Sequence, residues 1–340
     1  MTTTLEPIEP YRAVELYLGQ RETEVAASTL QTHRSRLRAF LRWCELEEIG
    51  NMNDLTGRKL HEFRIWRRND GDLNRVSEKT QMQTLRVFIR WCESIEAVDA
   101  DLSTKVQSPS LATSDDSRDV MLSADRATAV LSYHEKYHYA SLEHVTLALL
   151  WHTMMRRGSA RALDVEDYHT DERYLEVVHR PDTGTPLKNK ADGERLVALS
   201  EQMCTLLDDW VADQRPSVED EHGRQPLLAT LRGRLGASTI TTYAYRATRP
   251  CIYTDGCPHD RDIESCDGTD VDLASKCPSS VSPHAMRRGS ITHSLEEGTP
   301  DKVISDRANV SQGILDKHYD RRDERTKMEQ RRDYLDRTRM

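Results

Sequence analysis

What this sequence lacks narrows its chemistry first. No run of 18 apolar residues occurs in its 340 positions, which excludes a membrane-spanning helix on length. Its opening stretch, MTTTLEPIEPYRAVEL, has neither the basic segment nor the apolar block of an export signal, so a cytoplasmic protein is expected. Lysine is scarce: of 48 basic residues only 10 are lysine and 38 are arginine, against 57 carboxylates and a formal charge of −9. A surface rich in carboxylates and poor in lysine stays hydrated at high salt, and suits a salt-rich cytoplasm. The acidic total argues against a nucleic-acid partner only on average, because clustered cations make phosphate contacts. Residues 28–90 hold 13 Lys plus Arg against 8 Asp plus Glu, a net of +5. Cysteine is odd in number, 7 in all, which without an export signal excludes a disulfide framework. A hydrophobic content of 37% rules out whole-chain disorder, and the length fits about two domains.

The periodicity predicts mainly helix with a small antiparallel sheet, an α+β chain. Ser28 and Gln31 form a capping-box pattern ahead of Leu30, Leu37, Phe40, Leu41 and Cys44, an apolar stripe at three- and four-residue spacing. The run Leu37-Arg38-Ala39-Phe40-Leu41-Arg42-Trp43-Cys44-Glu45 returns as Leu85-Arg86-Val87-Phe88-Ile89-Arg90-Trp91-Cys92-Glu93. One such pair fits a small bundle with apolar faces inward and arginines outward. Helices are expected at 10–20, 28–45, 55–68 and 77–95. Residues 102–119, rich in Ser, Thr and Asp and without periodicity, read as a linker. The predicted organisation is a helical domain at 1–103, a linker at 104–120 and a second domain at 121–323. That domain carries a cysteine-rich insertion at 249–280, and a tail helix follows at 324–340. In the second domain, strands are expected at 174–180 and 195–200, with helices at 123–134, 140–155, 200–213, 238–247, 284–297, 300–308 and 312–319.

Two arginines fall where burial is expected. Arg156 ends the most apolar helix, and Arg287 shares a helix face with His284 three residues earlier. A buried guanidinium requires an anion. Tyr319 stands near the end of the globular pattern. Taken singly, these residues read equally as a salt bridge, a core tyrosine and a capping histidine.

Together they resemble the tyrosine recombinase, or phage integrase, family. Thr153-Met154-Met155-Arg156, with Leu163 downstream, sits like that family's T-G-L-R-x-S-E-L box, and His284-Ala285-Met286-Arg287 like its H-x-L-R box. Thr292-His293, Leu295-Glu296, Gly298 and Val303-Ile304 continue the agreement, and the 32 residues from Arg287 to Tyr319 bring the tyrosine onto the nucleophile position. The resemblance implies an N-terminal core-binding bundle and a catalytic domain that together clamp double-stranded DNA, as a homotetramer on paired sites and in association with the nucleoid. It implies cleavage and rejoining through a 3′-phosphotyrosyl link on Tyr319, with no metal or nucleotide needed for catalysis. Arg156 and Arg287 would hold the phosphate, since arginine forks stabilise charge on non-bridging oxygens from fixed positions. His284 would act as general base or as a hydrogen-bond donor to the phosphate. Lys188, with Lys190 as the alternative, would protonate the leaving oxygen. Arg38, Arg42, Arg86 and Arg90 would meet the DNA backbone.

One position departs from the pattern. Where the family has His or Trp nine residues before the nucleophile stands Val310, which can neither donate a hydrogen bond nor titrate. Adjacent His318 is one substitute. The departure keeps open a second reading, a catalytically impaired DNA-binding protein with an architectural or regulatory role. A zinc hydrolase would leave the Arg and Tyr spacing unexplained. In the insertion, Cys251, Cys257, Cys266 and Cys277 stand with five, eight and ten residues between them, beside His259. This is no C-x-x-C knuckle, yet soft thiolates in a polar loop favour a structural zinc over free thiols or disulfides. The tail, with 8 Lys plus Arg among residues 320–340, is expected either to fray in solvent or to bury Met328, Tyr334 and Leu335 on a neighbouring subunit.

Overall fold

The structure is a computed structural model that describes residues 4–111, 120–320 and 322–335. Residues 112–119 of the expected linker and the tail beyond Leu335 lie outside the described residues, as do the side chains of Tyr334 and Leu335. The chain divides into two compact units, 1–118 and 119–340. No helix among the described residues is long and apolar enough to cross a membrane.

The first unit is built of α1 (Pro10–Arg21), α2 (Ala27–Leu46), α3 (Gly57–Asp70) and α4 (Arg75–Ser94). Its core explains the internal repeat. Leu37, Phe40, Trp43 and Cys44 of α2 and Leu85, Phe88, Ile89 and Cys92 of α4 are all buried. The equivalent Phe40 and Phe88 rings meet edge-on at 5.8 Å, and Phe63 of α3 packs edge-on to Phe40 at 5.5 Å, the geometry that aromatic quadrupoles favour. Two expectations need correction. The cap residue of α2 is Ala26, with no side-chain bond, and Ser28 lies inside the first turn, where its carbonyl accepts from Thr32; the capping box read at Ser28 does not form. The segment from 104 also belongs to the bundle at its start, because Val106 is buried in the same core as Leu102.

The second unit runs α5 (Ala124–Tyr137), α6 (Leu142–Thr153), α7 (Arg157–Ala162), β1 (Tyr168–His169), β2 (Tyr174–Val177), β3 (Arg195–Ala198), α8 (Glu201–Asp209), β4 (Ala229–Thr230), β5 (Gly233–Arg234), α9 (Ala237–Ala247), α10 (Pro250–Tyr253), α11 (Pro283–Glu296), α12 (Asp301–Ala308), α13 (Gln312–His318) and α14 (Glu324–Leu335). The sheet is antiparallel in the order β1-β2-β3, with Leu175 opposite Val197, and β4-β5 form a second antiparallel pair. Helices with small antiparallel sheets are the expected α+β class.

α6 is apolar nearly all round, and packs on both sides: Val145, Leu149 and Leu150 join the sheet and α8, while Leu147 joins α5, α9 and α11. Thr153 ends it by turning its hydroxyl onto the Leu149 carbonyl at 2.6 Å, and Met154 follows with φ 56°. α11 starts cleanly on Ser282, whose side chain accepts from the Ala285 N–H, with Pro283 in its first turn. Gly289 admits the segment that precedes α5. A Cβ there would lie 1.8 Å from the Leu122 carbonyl oxygen.

Candidate active site

Arg156 lies not on α6 itself but just past its end, as the capping residue of α7. Its Nη1 donates to the Asn309 carbonyl at 3.0 Å. Arg287, on α11, is 2% exposed. One of its nitrogens donates to the Met154 carbonyl, while Nε and Nη2 are buried without a partner. The turn after α6 therefore anchors one arginine and supplies the next.

These guanidinium groups share one electrostatic environment. Burial and then Arg156 lower the Arg287 pKa to about 10, with the Tyr319 phenol acting in the opposite sense. Arg195, on β3, is likewise pushed down to about 10 by burial and then by Arg287, Arg156 and Arg307. No carboxylate figures among the groups that perturb either one. Elsewhere in this unit half-buried arginines pair with carboxylates, Arg180 with Asp167 through two bonds of 2.9 and 2.6 Å and Arg234 with Asp220 at 2.7 Å and with Asp164, while buried Arg249 bonds the Arg246 and Gly268 carbonyls. A set of desolvated cations without a counter-charge is a site for an anion.

His284 sits in the first turn of α11, open to solvent on one side. The protein mass around its ring lowers its pKa, and Arg288, Arg287 and Arg156 lower it further. A neutral imidazole can accept a proton. Tyr319 follows α13, is 5% exposed, and packs with Met154, Ile291, Leu295, Ile304 and Leu315. Its carbonyl accepts from Thr292 on α11 at 2.9 Å. Arg156, His284, Arg287 and Tyr319 are thus brought together.

Lys188 and Lys190 are exposed on the loop between β2 and β3. Asn189 between them donates to the Asn309 side-chain oxygen at 2.7 Å, and Asn309 donates back to the Asp192 carbonyl at 2.9 Å. Both lysines remain candidates, on a loop tied to the Arg156 anchor.

The structure also accounts for Val310. It is 6% exposed and lies in the apolar cluster with Tyr319. The polar contact at this corner comes from Asn309, whose φ of 51° ends α12 in the left-handed region that Asn tolerates. Sequence reasoning missed Asn309 and Arg195. Arg195 read only as the first residue of an expected strand, and the partners of Asn309 lie 117 to 153 residues away in the chain.

In the first unit, Arg38 and Arg90 are exposed without a hydrogen bond or ion pair among the described residues. Arg42 pairs with Asp70 and lies 5.1 Å over the Trp66 ring. Arg86 is half-buried and bonds the Val106 carbonyl and Ser108, so it braces the chain leaving α4. In the insertion, all four cysteines are free thiols.

No protein-family model matches this sequence, and no curated protein matches it. Solved structures do. The integrase of transposon Tn1549 in complex with transposon right end DNA matches at TM-score 0.64 and 14% identity, over 96% of this chain and 98% of its own. A lambda integrase dimer bound to a COC′ core site matches at 0.63 and 14%, over 94% and 97%. The N-terminal domain of a phage integrase/site-specific recombinase from Haloarcula marismortui is 35% identical over 31% of this chain and 99% of its own, at TM-score 0.30. Fold and motif order converge, and the chain has the fold of the tyrosine recombinases and phage integrases that its sequence resembles.

Proposed function

We propose that this protein is a site-specific DNA recombinase or integrase that breaks and rejoins double-stranded DNA through a phosphotyrosyl link on Tyr319. The observation that carries the reading is the arginine set around buried Arg287, with two of its guanidinium nitrogens unpartnered and Tyr319 beside it. A phosphodiester supplies the missing anion, and preorganised donors there stabilise the charge that builds on the non-bridging oxygens.

In the proposed step the Tyr319 Oη attacks phosphorus. The bond to the 5′ oxygen breaks, and the DNA 3′ phosphate becomes an ester of the phenol. His284, whose pKa burial and then the neighbouring arginines lower, takes the phenolic proton or donates to the phosphate. Lys188 or Lys190 gives a proton to the leaving oxygen. Rejoining is the reverse, with the 5′ hydroxyl of either strand as nucleophile, so the bond energy is kept and no metal or nucleotide is consumed. Arg195 adds a further cation to the phosphate clamp. Asn309 holds the lysine loop against Arg156 and stands in for the side chain that Val310 cannot provide. The DNA named with the solved integrases fits this partner, and a homotetramer on paired sites belongs to the same proposal.

The competing reading, a DNA-binding protein without catalysis, rests on Val310. A nicked duplex built from the DNA flanking the gene separates the two. Strand exchange predicts a covalent protein–DNA product stable to denaturant, whereas the architectural reading predicts a shifted complex that dissociates completely in it.

A further inference from the structure

The insertion between α9 and α11 has little of its own to hold it. Ile263, Val271 and Leu273 are all at least 36% exposed, and Ala274 and Cys277 supply its buried apolar surface. A polar loop of this length needs a cross-link to be ordered. Cys251, Cys257, Cys266 and Cys277, spread over 27 positions, nevertheless line one small cavity of about 10 Å³ together with His259. The cavity has room for about one water-sized body, and the thiols bring soft donors to its wall.

Arg249 and Arg261 share its wall, and Arg261 donates to the Cys266 sulfur at 4.0 Å, which suits a thiolate set that stays net negative around a divalent ion. Gly268 lets the backbone press on Cys277, where a Cβ would stand 3.3 Å from the Cys277 Cβ. His259 donates to or accepts from Ser279 through Nε2 at 2.9 Å, which orients its ring beside the thiols. The sulfurs surround the cavity without closing to ligand spacing. Among the described residues, the group of three donors within 4.8 Å of one another is Asp301, Asp316 and Asp320. That acidic group is already balanced by Arg322 at 2.7 and 2.9 Å and by Lys327 at 3.3 Å.

We propose that Cys251, Cys257, Cys266 and Cys277 bind one structural zinc ion that cross-links the insertion and fixes the start of α11. Borderline-soft Zn²⁺ takes four thiolates tetrahedrally at about 2.3 Å, a closed set with no position left for water and hence no hydrolytic role. The thiols lose their protons on binding, so loading releases acid. The benefit passes directly into the candidate site. Arg126 of α5 pins the insertion's base through the Thr248 carbonyl at 2.8 Å and the Ser279 carbonyl at 2.6 Å, and the Thr248 hydroxyl accepts from the Val281 N–H at 2.9 Å. Seven residues beyond Cys277 comes His284.

Metal content of the full-length protein, purified without chelator, is the test. It does not depend on recombinase activity. The expected result is about one zinc per chain, released by a thiol-blocking mercurial, and a cobalt-substituted form with thiolate-to-metal charge-transfer bands. Cys277→Ser should lose the metal, while His259→Asn should keep it. Trypsin should leave the loaded insertion intact and cut the stripped one at exposed Arg261 and Lys276. Metal-free protein from zinc-replete cells whose four insertion thiols react freely, or which carries a disulfide among them, would overturn the proposal. Loss of metal on His259→Asn alone would overturn the four-thiolate set.

Discussion

Arg287 concentrates the energetics of the second unit, because it is buried with two of its nitrogens unpartnered. Such a group costs stability unless an anion arrives, and its retention beside Arg156 and Arg195 is best explained by function. Arg287→Ala should therefore lower DNA cleavage about 10²- to 10³-fold while leaving thermal stability unchanged or raised, measured by adduct formation alongside calorimetry. A purely structural arginine would give the opposite pair of results. Asn309→Gly keeps the positive φ and the carbonyl that Arg156 uses, and removes the two side-chain bonds to the lysine loop. It should slow cleavage about tenfold or more through misplacement of that loop without weakening DNA binding. Arg156, His284, Arg287 and Tyr319 stood out in the sequence through the resemblance of their motifs to the tyrosine recombinases, and the structure brings them near one another. Asn309 and Arg195 did not, since their roles arise from neighbours distant in the chain, 117 to 153 residues away for Asn309 and in separate elements for Arg195.

At the scale of elements, the helix periodicities and the matched runs in α2 and α4 could be read directly, because burial follows the apolar stripe. Caps and short strands could not. Ser28 had the right neighbours for a cap, but the helix begins one turn position earlier, and β1, β4 and β5 are two-residue pairings, too short for alternation to register. A second feature invisible in the sequence is the histidine pair where α5 meets α6. His134 and His144 stack with ring centres 6.2 Å apart, and both are nearly buried. Burial above all lowers each to about 4, with His138 contributing at His144, and His144, His138 and Arg246 at His134. The folded pKa is thus depressed below the ordinary 6.5 of the unfolded chain, and as pH falls from about 6.5 toward 4 the unfolded state binds protons first. Stability should be greatest above that window and drop within it. A fall in Tm of about 5 °C or more between pH 7 and 4.5 is expected, with a shallower slope in His134→Gln/His144→Gln. An unchanged slope in that double variant would assign the acid sensitivity elsewhere.

For the whole molecule, an acidic chain that binds DNA must do so through local arginines. Arg38→Glu and Arg90→Glu should weaken DNA binding at all sequences and reduce the salt slope by about one unit for each phosphate no longer neutralised. Arg86→Glu should instead lower stability, because its donors hold Val106 and Ser108. In the tail, α14 already touches its own chain: Gln330 donates to the Leu295 and Glu296 carbonyls at 3.1 and 3.0 Å, while Met328 is 47% exposed. Truncation after Asp323 should leave single-site binding unchanged and reduce synapsis if Met328 seeks a neighbouring subunit, whereas full strand exchange by the truncated chain would mark α14 as a local cap on α11. The central claim is that the arginine set and Tyr319 form a DNA-cleaving centre, and its most direct test is a peptide map of the covalent product on a nicked duplex from the gene's flanking DNA. The account predicts an adduct on Tyr319 in the wild type and none in Tyr319→Phe, with DNA binding retained. An adduct on another residue, or one that persists in Tyr319→Phe, would contradict it.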